Sequence, residues 1–335
     1  MGCACRASAG SRRTRAVRGK PLDHAALARL PKADLHLHLE GAVLPADLRA
    51  LYPRSRRPPV PRREWRALYR FRGFPGFLRA FGSVCALLAA PEDFGRAALR
   101  LAGRLRRQGV RRAEVLVSLP VHLRRGLRGE AILESLLEAR EAAWRRGVDM
   151  GWILDGVRQW GAESLAPCVN LARRYRARGV LGVGLGGDET ARPPEEFRAL
   201  FRKAREAGLH TVLHVGEVGG PREVERAIEV LAPERLGHAL RAAEEPRLLE
   251  RIAARGIPVE VAVTSNWRTG LLKRRADHPL PRLLEAGVRV VLAADDPAFF
   301  RTTLVGEYAL AQRLFGLTPG QVRALARESL NSVLG

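Results

Sequence analysis

The sequence predicts an α/β fold, a closed (β/α)₈ TIM barrel with an insertion after strand 1 that forms a helical lid. Three observations support this prediction. From residue 31 onward, eight short apolar segments alternate with longer amphipathic ones. Several of the helix candidates end in glycine, as expected after a helix C-terminus. No GxGxxG motif follows the first strand, which disfavours the main alternative, an open doubly wound sheet.

The strand candidates are short apolar segments. In chain order they are ADLHLHL (33–39), AEVLVSL (113–119), DMGWILD (149–155), VLGVGL (180–185), HTVLHV (210–215), RLGHA (235–239), IPVEVAV (257–263) and VRVVLAA (288–294). Between them lie amphipathic helix candidates such as EAILESLLEAREAAWRRG, PEEFRALFRKAREAG and PREVERAIEVLA. Alternating strands and helices imply a parallel sheet, which eight such units close into a barrel.

The longest connection follows strand 1 and spans about residues 45–110. It contains FRGFPGFLRAF, whose phenylalanines fit either plain helix core or a lid, because βα loops form the active-site face of a barrel. Residues 1–20 are small and basic, and no apolar export segment follows their twin arginine, so they predict a disordered tail or an over-long start. Residues 21–335 are predicted to form one barrel domain.

The composition predicts a soluble globular protein. Hydrophobic residues make up 46% of the chain, and no apolar run reaches membrane-spanning length. The net charge of +23 permits a nucleic-acid partner, but lysine is rare and the arginines are scattered along helices. We therefore interpret the charge mainly as codon bias and a solvated surface. The four cysteines form no CxxC pair, which favours a reducing, cytoplasmic location.

Strand 1 has an unusual polar face. In PKADLHLHLEGAV, Asp34, His36, His38 and Glu40 alternate with apolar residues. Residues i and i+2 of a strand project from the same face, so both histidines would point into the barrel. Burying two imidazoles there is costly unless something satisfies them, and a bound metal ion would do so.

Three later strand ends carry the same kinds of side chain. HTVLHVGEVGG places His214 at the end of strand five, with Glu217 three residues later. RLGHA places His238 at the end of strand six, and VVLAADDP places Asp295 and Asp296 at the end of strand eight. Each alone fits an ordinary core histidine or a turn. In a barrel, however, these strand ends converge on one pocket.

Three histidines and an aspartate suit one Zn²⁺ per chain, with one position left for water. Such a metal lowers the pKa of its water from about 16 toward about 7, which supplies hydroxide at neutral pH. Glu217, His238 and Asp296 then remain for proton handling and substrate binding. These residues predict metal-assisted hydrolysis of a small molecule.

From Pro31 to the C-terminus, the chain resembles the adenosine deaminase family of the amidohydrolase superfamily. The resemblance rests on PKADLHLHLEGAV, GLGGDE, HVGEVGGPREV, ERLGHAL, TSNWRTG and DDP, which occur in the family's order and spacing. It implies a small-molecule purine nucleoside as the partner. It also implies that the zinc ligands are His36, His38, His214 and Asp295.

The resemblance also implies roles for the other site residues. Glu217 would protonate purine N1 while the activated water attacks C6, and His238 would orient and deprotonate that water. Gly187 would offer its backbone N–H to purine N3, and Asp296 would contact N7. Glu40 falls where the family contacts the sugar.

The chain departs from adenosine-specific relatives at Glu40, where those relatives have the aspartate of HxHxD. The extra methylene moves the carboxylate by about 1.5 Å, so strict adenosine specificity is not expected. WILDGVRQWG and TSNWRTG are most similar to the bacterial branch that deaminates 6-aminodeoxyfutalosine in menaquinone synthesis. Arg158 and Arg268, near the ends of strands three and seven, are candidate partners for the substrate carboxylate, although each also fits as a surface or structural residue.

Other functions stay open at this point. Adenosine or adenine deamination in purine salvage would use the same residues. Another metal hydrolase of the same barrel, opening a cyclic amide or a phosphotriester, usually bridges two metals through a carboxylated lysine or a glutamate. No lysine lies near a strand end, which counts against the lysine bridge. A nucleic-acid-associated protein without enzymatic activity would explain the charge but not the ligand set, and ammonia release from a purine would exclude it.

Overall fold

Eight parallel strands form one sheet in the order in which they occur in the chain, in a computed structural model that describes residues 20–53 and 56–335. The strands are β1 Lys32–His38, β2 Val110–Val117, β3 Asp149–Val157, β4 Val180–Gly186, β5 His210–Val215, β6 Arg235–His238, β7 Val259–Val261 and β8 Val290–Leu292. Every strand overlaps its sequence-predicted segment. The prediction of a disordered tail falls on residues 1–20, of which 1–19 lie outside the described residues.

Helices follow every strand. The α-helices of the described residues are α1 His24–Arg29, α2 Leu48–Leu51, α3 Gly73–Cys85, α4 Pro91–Arg107, α5 Leu119–Leu123, α6 Gly129–Trp144, α7 Ala162–Tyr175, α8 Arg198–Glu206, α9 Pro221–Leu231, α10 Pro246–Ala254, α11 Val263–Arg268, α12 Leu280–Glu285, α13 Pro297–Phe300, α14 Leu304–Phe315 and α15 Pro319–Asn331. Short 3₁₀ helices occupy Glu40–Ala42, Arg62–Glu64, Ala67–Tyr69, Arg158–Trp160, Arg176–Arg178, Pro194–Phe197, Leu240–Glu244 and Arg275–Asp277. Within the described part of the chain, no helix combines the length and apolar character that crossing a membrane requires.

The sheet closes between β1 and β8. Leu37 pairs with Asp295 in an isolated parallel bridge. The backbone N–H of His38 donates to the carbonyl oxygen of Asp295 at 3.1 Å, and the N–H of Asp295 donates to the carbonyl oxygen of His36 at 2.9 Å. The predicted barrel is therefore confirmed, and its closure brings Asp295 beside the two histidines of β1.

β1 is not a regularly alternating strand. Its register with β2 shifts between Asp34 and Leu37. His36 and His38 face the barrel interior, whereas Asp34 and Leu37 line a separate cavity behind the strand together with Arg104. The interpretation of one polar face shared by all four polar residues was therefore wrong for Asp34, because the irregular register changes which face its side chain occupies.

A buried ionic layer lies in the barrel below the site. Arg235 at the start of β6 donates to Glu260 of β7 at 2.5 Å and to Glu114 of β2 at 2.6 Å. All three side chains are buried, and each charge has an opposite partner, which burial of ions requires. A small apolar cluster also fills the interior, formed by Leu116, Ile153, Val212 and Leu334.

The insertion after β1 has two parts with different surroundings. Helix α4 packs against α6 and β2 as an outer helix of the barrel. Helix α3 instead lies at the carboxyl ends of the strands, where Phe74, Phe77 and Phe81 face a cavity. The aromatic segment thus contributes three rings to the cavity lining, while the helical lid over the barrel mouth remains a prediction.

Candidate active site

A cavity of about 150 Å³ lies at the carboxyl ends of the strands. Its floor, as we define it, consists of His38, His214, Glu217, His238, Asp295 and Asp296. We include His36, which does not line the cavity, because its ring centroid lies 4.5 Å from that of His214. Its roof consists of Phe74, Phe77 and Phe81 of α3. The side walls include Ser118, Val121, Asp155, Gln159, Trp160, Gly186, Gly187 and Ser265.

Three imidazoles and one carboxylate converge in the floor. Nε2 of His38 lies 3.1 Å from Nε2 of His214. Oδ1 of Asp295 lies 3.6 Å from Nε2 of both His36 and His38. Nε2 of His36 is buried and has no hydrogen-bond partner. Because buried imidazole nitrogens need a partner, and histidine and carboxylate are ordinary zinc ligands, these four residues fit a metal ion.

The backbone is strained at two floor residues. His238 has a φ of 66° and Asp295 a φ of 59°, in the left-handed region that favours glycine. Such a conformation costs about 1–3 kcal/mol for each residue. At Asp295, the two barrel-closing hydrogen bonds described above hold the conformation. The strain orients the Asp295 carboxylate towards the histidines rather than along the strand.

Burial keeps most of the floor imidazoles neutral. It lowers the pKa of His38 to about 4 and that of His238 to about 3. It also lowers the pKa of His214 well below its usual value. A neutral imidazole offers its lone pair to a metal, so burial suits metal ligation at His38 and His214. At His36, burial is outweighed by the hydrogen bonds and negative charges of Asp295 and Glu260, which raise the pKa to about 10.

Glu260 of β7 orients His36 from below. Its Oε2 lies 2.6 Å from Nδ1 of His36, and its Oε1 accepts from Arg235. A carboxylate at Nδ1 holds the proton there and leaves Nε2 free for a metal. We did not predict Glu260 from the sequence, although it is the single charged residue within the apolar segment IPVEVAV.

A chain of hydrogen bonds determines the tautomer of His238. The backbone N–H of Leu280 donates to Nδ1 of His278 at 3.0 Å, so neutral His278 carries its proton on Nε2. That Nε2 lies 3.2 Å from Oδ1 of Asn266, whose Nδ2 lies 3.1 Å from Nδ1 of His238. His238 must therefore carry its own proton on Nε2. This atom lies 3.6 Å from Oε1 of Glu217.

The tautomer changes the expected role of His238. As an Nε2–H donor, it can hold the oxygen of a water molecule, as the family resemblance implied. It has no lone pair on Nε2 with which to deprotonate the water. This hydrogen-bond network therefore fits an orienting role for His238 and not the expected role as the base. Asn266 and His278 were not predicted from the sequence, although Asn266 belongs to the quoted TSNWRTG segment.

Glu217 lies in the loop after β5, and Glu189 holds that loop. The Glu189 carboxylate accepts the backbone N–H groups of Gly216 at 2.6 Å and Gly219 at 2.9 Å. This contact joins the GLGGDE loop to the HVGEVGG loop in the folded protein. Burial and two neighbouring carboxylates raise the pKa of Glu217 well above its usual range. A carboxyl group that stays protonated near neutral pH can donate a proton to a substrate.

Asp296 lies directly against Gly41. A Cβ atom at Gly41 would lie 1.6 Å from Oδ1 of Asp296, so only glycine leaves room for this carboxyl group. The Oδ1 atom is buried without a partner. Burial, followed by the negative charge of Asp295, raises the pKa of Asp296 well above its usual value. This shift favours the neutral form of Asp296, in which a carboxyl group can donate a hydrogen bond.

Gly187 also depends on the absence of a side chain. Its φ is +97°, in the region that favours glycine, and a Cβ there would lie 2.2 Å from Oε1 of Gln159. Gln159 in turn accepts from the backbone N–H of Asp188 at 2.9 Å. The GLGGDE turn therefore brings its backbone directly to the cavity wall, where Gly187 was predicted to bind substrate.

Glu40, a predicted sugar contact, does not line the cavity. The chain enters a 3₁₀ turn at this residue, and the side chain faces β2 and the helix that follows it. Its Oε1 accepts from the backbone N–H of Ser118 at 3.0 Å and lies 2.8 Å from Nε2 of His122. Because Ser118 lines the cavity, Glu40 holds a residue of the cavity wall in place and does not itself face the substrate space.

The two arginines predicted to bind a substrate carboxylate are also absent from the cavity lining. Arg158 is buried and donates from Nε to the carbonyl oxygen of Arg192 at 3.0 Å. Arg268 is partly buried, and its guanidinium lies 5.9 Å from the ring centroid of Trp267. A position near a strand end in the sequence therefore does not place an arginine side chain in the cavity, because long side chains can point away from the barrel axis.

The barrel, the converging histidines and the buried carboxyl groups together fit a hydrolase whose active site lies at the carboxyl ends of the strands. Residues 31–334 match the profile of the family described as Adenosine deaminase. The chain belongs to the adenosine deaminase family. It is a hydrolase that acts on a C–N bond of a purine-type substrate, as predicted.

The most informative relatives carry two different names. The chain is 36% identical over 315 residues to Aminodeoxyfutalosine deaminase of Streptomyces avermitilis, covering 92% of this chain and 88% of that protein. It is also 36% identical over 313 residues to Adenine deaminase of Streptomyces coelicolor, covering 92% and 91%. Among solved structures, adenine deaminase of Arthrobacter aurescens is similar with a TM-score of 0.84 and 29% identity, covering 91% and 94%. An amidohydrolase from Burkholderia ambifaria with bound Zn has a TM-score of 0.85 and 27% identity, covering 96% and 91%.

Proposed function

We propose that this protein hydrolyses the 6-amino group of a purine nucleoside with a large aromatic substituent, of the 6-aminodeoxyfutalosine type. The observation that carries the proposal is the cavity, which joins a polar floor to an aromatic roof. His38, Glu217 and Asp296 line one side of this cavity, and Phe77 and Phe81 line the other. Phe74, Phe81 and Trp160 offer apolar faces on which a second ring can pack.

The floor supports the chemistry of deamination with one Zn²⁺ per chain, and the zinc-bound relative supports the choice of metal. The ligands would be His36, His38, His214 and Asp295. When bound, zinc supplies the Lewis acidity that lets a water molecule attack carbon at neutral pH. His238 donates from Nε2–H to the attacking oxygen and thereby fixes its position.

Glu217 donates its proton to purine N1, which makes C6 more electrophilic. Water then adds at C6, and one of its protons passes to the amino group, which leaves as ammonia. The other water proton restores the Glu217 carboxyl group, and the product carries a carbonyl group at C6 and a proton on N1. Gly187 and Asp296 orient the ring. Purine N7 can only accept a hydrogen bond, so the raised pKa of Asp296 supports its assignment as the N7 donor.

The acidic end of the substrate needs a cation that the floor does not provide. Among the described residues, neither lysine nor arginine lines the cavity. Arg124 stacks on Trp160, a lining residue, with 3.8 Å between the guanidinium carbon and the ring centroid. This position at the rim favours Arg124 over Arg158 and Arg268 as the partner of a substrate carboxylate.

Deamination of free adenine is the second candidate. The absence of a cation from the described cavity lining favours it, because an unsubstituted purine needs no charged partner. Relatives named adenine deaminase, at the same level of identity, also support it.

A panel of 6-aminopurines tests both candidates, with deamination followed by the ultraviolet shift. We expect a higher kcat/KM for the acidic, aromatic nucleoside than for adenosine or adenine. We also expect Arg124→Ala to reduce that value about 10–100-fold for the acidic substrate only, with Arg268→Ala as the matched control. A higher kcat/KM for free adenine than for every extended nucleoside would establish adenine deamination as the function. Full activity of metal-free protein would exclude both.

A further inference from the structure

Asp155, at the carboxyl end of β3, has no role in the chemistry described so far. Its side chain is 4% exposed and lines the cavity wall. Oδ1 of Asp155 is buried without a hydrogen-bond partner. A buried carboxylate without a donor is costly, so the position demands a partner that the protein or its ligand supplies.

Strand β4, which pairs with the strand of Asp155, has glycine at the two positions where a side chain would block the Asp155 carboxylate from His214. Asp155 pairs in register with Gly184 of β4, and a Cβ atom at Gly184 would lie 2.4 Å from Oδ1 of Asp155. A Cβ atom at Gly186 would lie 2.7 Å from Oδ2 of Asp155 and 3.3 Å from Nδ1 of His214. The two glycines therefore open a passage across β4, from the carboxylate on β3 to the imidazole on β5.

Nδ1 of His214 is the group at the other end of this passage. It is also buried without a partner, while Nε2 of the same ring faces Nε2 of His38 at 3.1 Å. The unpartnered carboxylate and the unpartnered ring nitrogen are complementary, and no β4 side chain stands between them. Oδ2 of Asp155 and Nδ1 of His214 both lie within 3.3 Å of the position that a Cβ atom at Gly186 would occupy.

We propose that Asp155 is the positioning residue for His214. It accepts the Nδ1–H of His214, which keeps the lone pair of Nε2 directed at the metal. Glu260 and His36 already show this arrangement elsewhere in the floor, at 2.6 Å. The inference rests on the proposed zinc site, and it explains why β4 has glycine at both positions that face the passage.

Zinc affinity is the primary readout, measured by competition with a chromogenic chelator. We expect Asp155→Asn and Asp155→Ala to bind zinc about 10–100-fold more weakly than wild type, the usual effect of losing the carboxylate behind a ligating histidine. Asp93→Asn is the matched control, since Asp93 is a buried carboxylate that accepts from Arg56 and from the backbone around α4. The control should lower the melting temperature without changing zinc affinity.

A relocated carboxylate separates positioning from general stability. In the double variant Asp155→Gly/Gly184→Asp, the new side chain starts from the space that Asp155 vacates, and it again faces His214. We expect this variant to recover most of the zinc affinity that Asp155→Gly loses.

The outcomes distinguish this inference from the proposed function. If wild type binds zinc tightly and both single variants stay within about twofold, the inference is overturned and the deaminase proposal stands. A rise in KM with unchanged zinc affinity also overturns it, because Asp155 would then bind substrate directly. A wild-type protein that binds no zinc overturns both. If Asp155→Ala fails to fold, zinc affinity is measured on the isosteric Asp155→Asn variant alone.

Discussion

The floor and the roof of the cavity are built on different principles. In the floor, polar side chains are buried and held by directional contacts, such as Glu260 with His36 and Asn266 with His238. In the roof, α3 presents rings that contact other rings, with 5.4 Å between the centroids of Phe77 and Phe299. Directional contacts fix atoms in place, whereas ring packing tolerates some change of shape.

This difference suggests a division of labour. Proton transfer requires donors at hydrogen-bond distance, so small displacements in the floor should abolish turnover. The roof contributes apolar contact, so changes there should alter which substrate is preferred rather than whether the reaction occurs. The following predictions test that division, beginning with the largest effect.

Glu217→Gln should reduce kcat by about 10²–10⁴-fold, because an amide cannot donate the proton that the carboxyl group delivers to N1. The substitution keeps the size of the side chain, so the variant should retain wild-type zinc content and substrate KM. Steady-state kinetics and metal analysis check both points. A variant with wild-type kcat would remove Glu217 from the role of general acid.

Gly41→Ala should reduce kcat/KM about 100-fold. The added methyl group would occupy the space of the Asp296 carboxyl group, and misplacing a substrate-orienting group by about 1 Å has an effect of this size. Gly82→Ala is the matched control, since a Cβ at this roof glycine meets nothing within 4 Å. Equal losses in the two variants would contradict a rigid floor and a tolerant roof.

The sequence was sufficient to locate the strands and most of the floor. The floor residues stand at the ends of apolar segments, and a parallel barrel necessarily gathers those ends. The predicted strand DMGWILD also ends in a polar residue, Asp155, so the same rule would have identified it as a floor candidate.

Other features depended on three-dimensional detail. The register shift in β1 and the 3₁₀ turn after it decide where Asp34 and Glu40 point, and side-chain alternation alone does not encode either. The orientation of His238 depends on His278, which is 40 residues away in sequence and connected only through Asn266. Long arginine side chains such as Arg158 can leave the barrel axis, so their strand position does not determine their contacts.

His278 should make the floor sensitive to acid. Burial lowers its pKa to about 3, so it stays neutral in the folded protein while the unfolded chain takes up a proton below about pH 6.5. Stability therefore falls as pH decreases from 6.5 towards 3, by about 2 kcal/mol at pH 5 from this residue alone. Denaturant unfolding at pH 7 and pH 5 should show a smaller loss in His278→Gln. Equal losses in both proteins would show that His278 is not held neutral.

Phe74→Leu should have the smallest effect and the most selective one. Phe74 lines the roof and is only half-buried, and losing one aromatic contact costs about 0.5–1.5 kcal/mol. We expect KM for the aromatic nucleoside to rise by up to about tenfold, while kcat/KM for adenine stays unchanged, because the smaller ring reaches only the floor. Phe71→Leu is the matched control, since Phe71 does not line the cavity, although its ring centroid lies 5.5 Å from that of Phe77. If adenine and the extended nucleoside lose activity equally, the roof supports the floor mechanically and does not select the substrate.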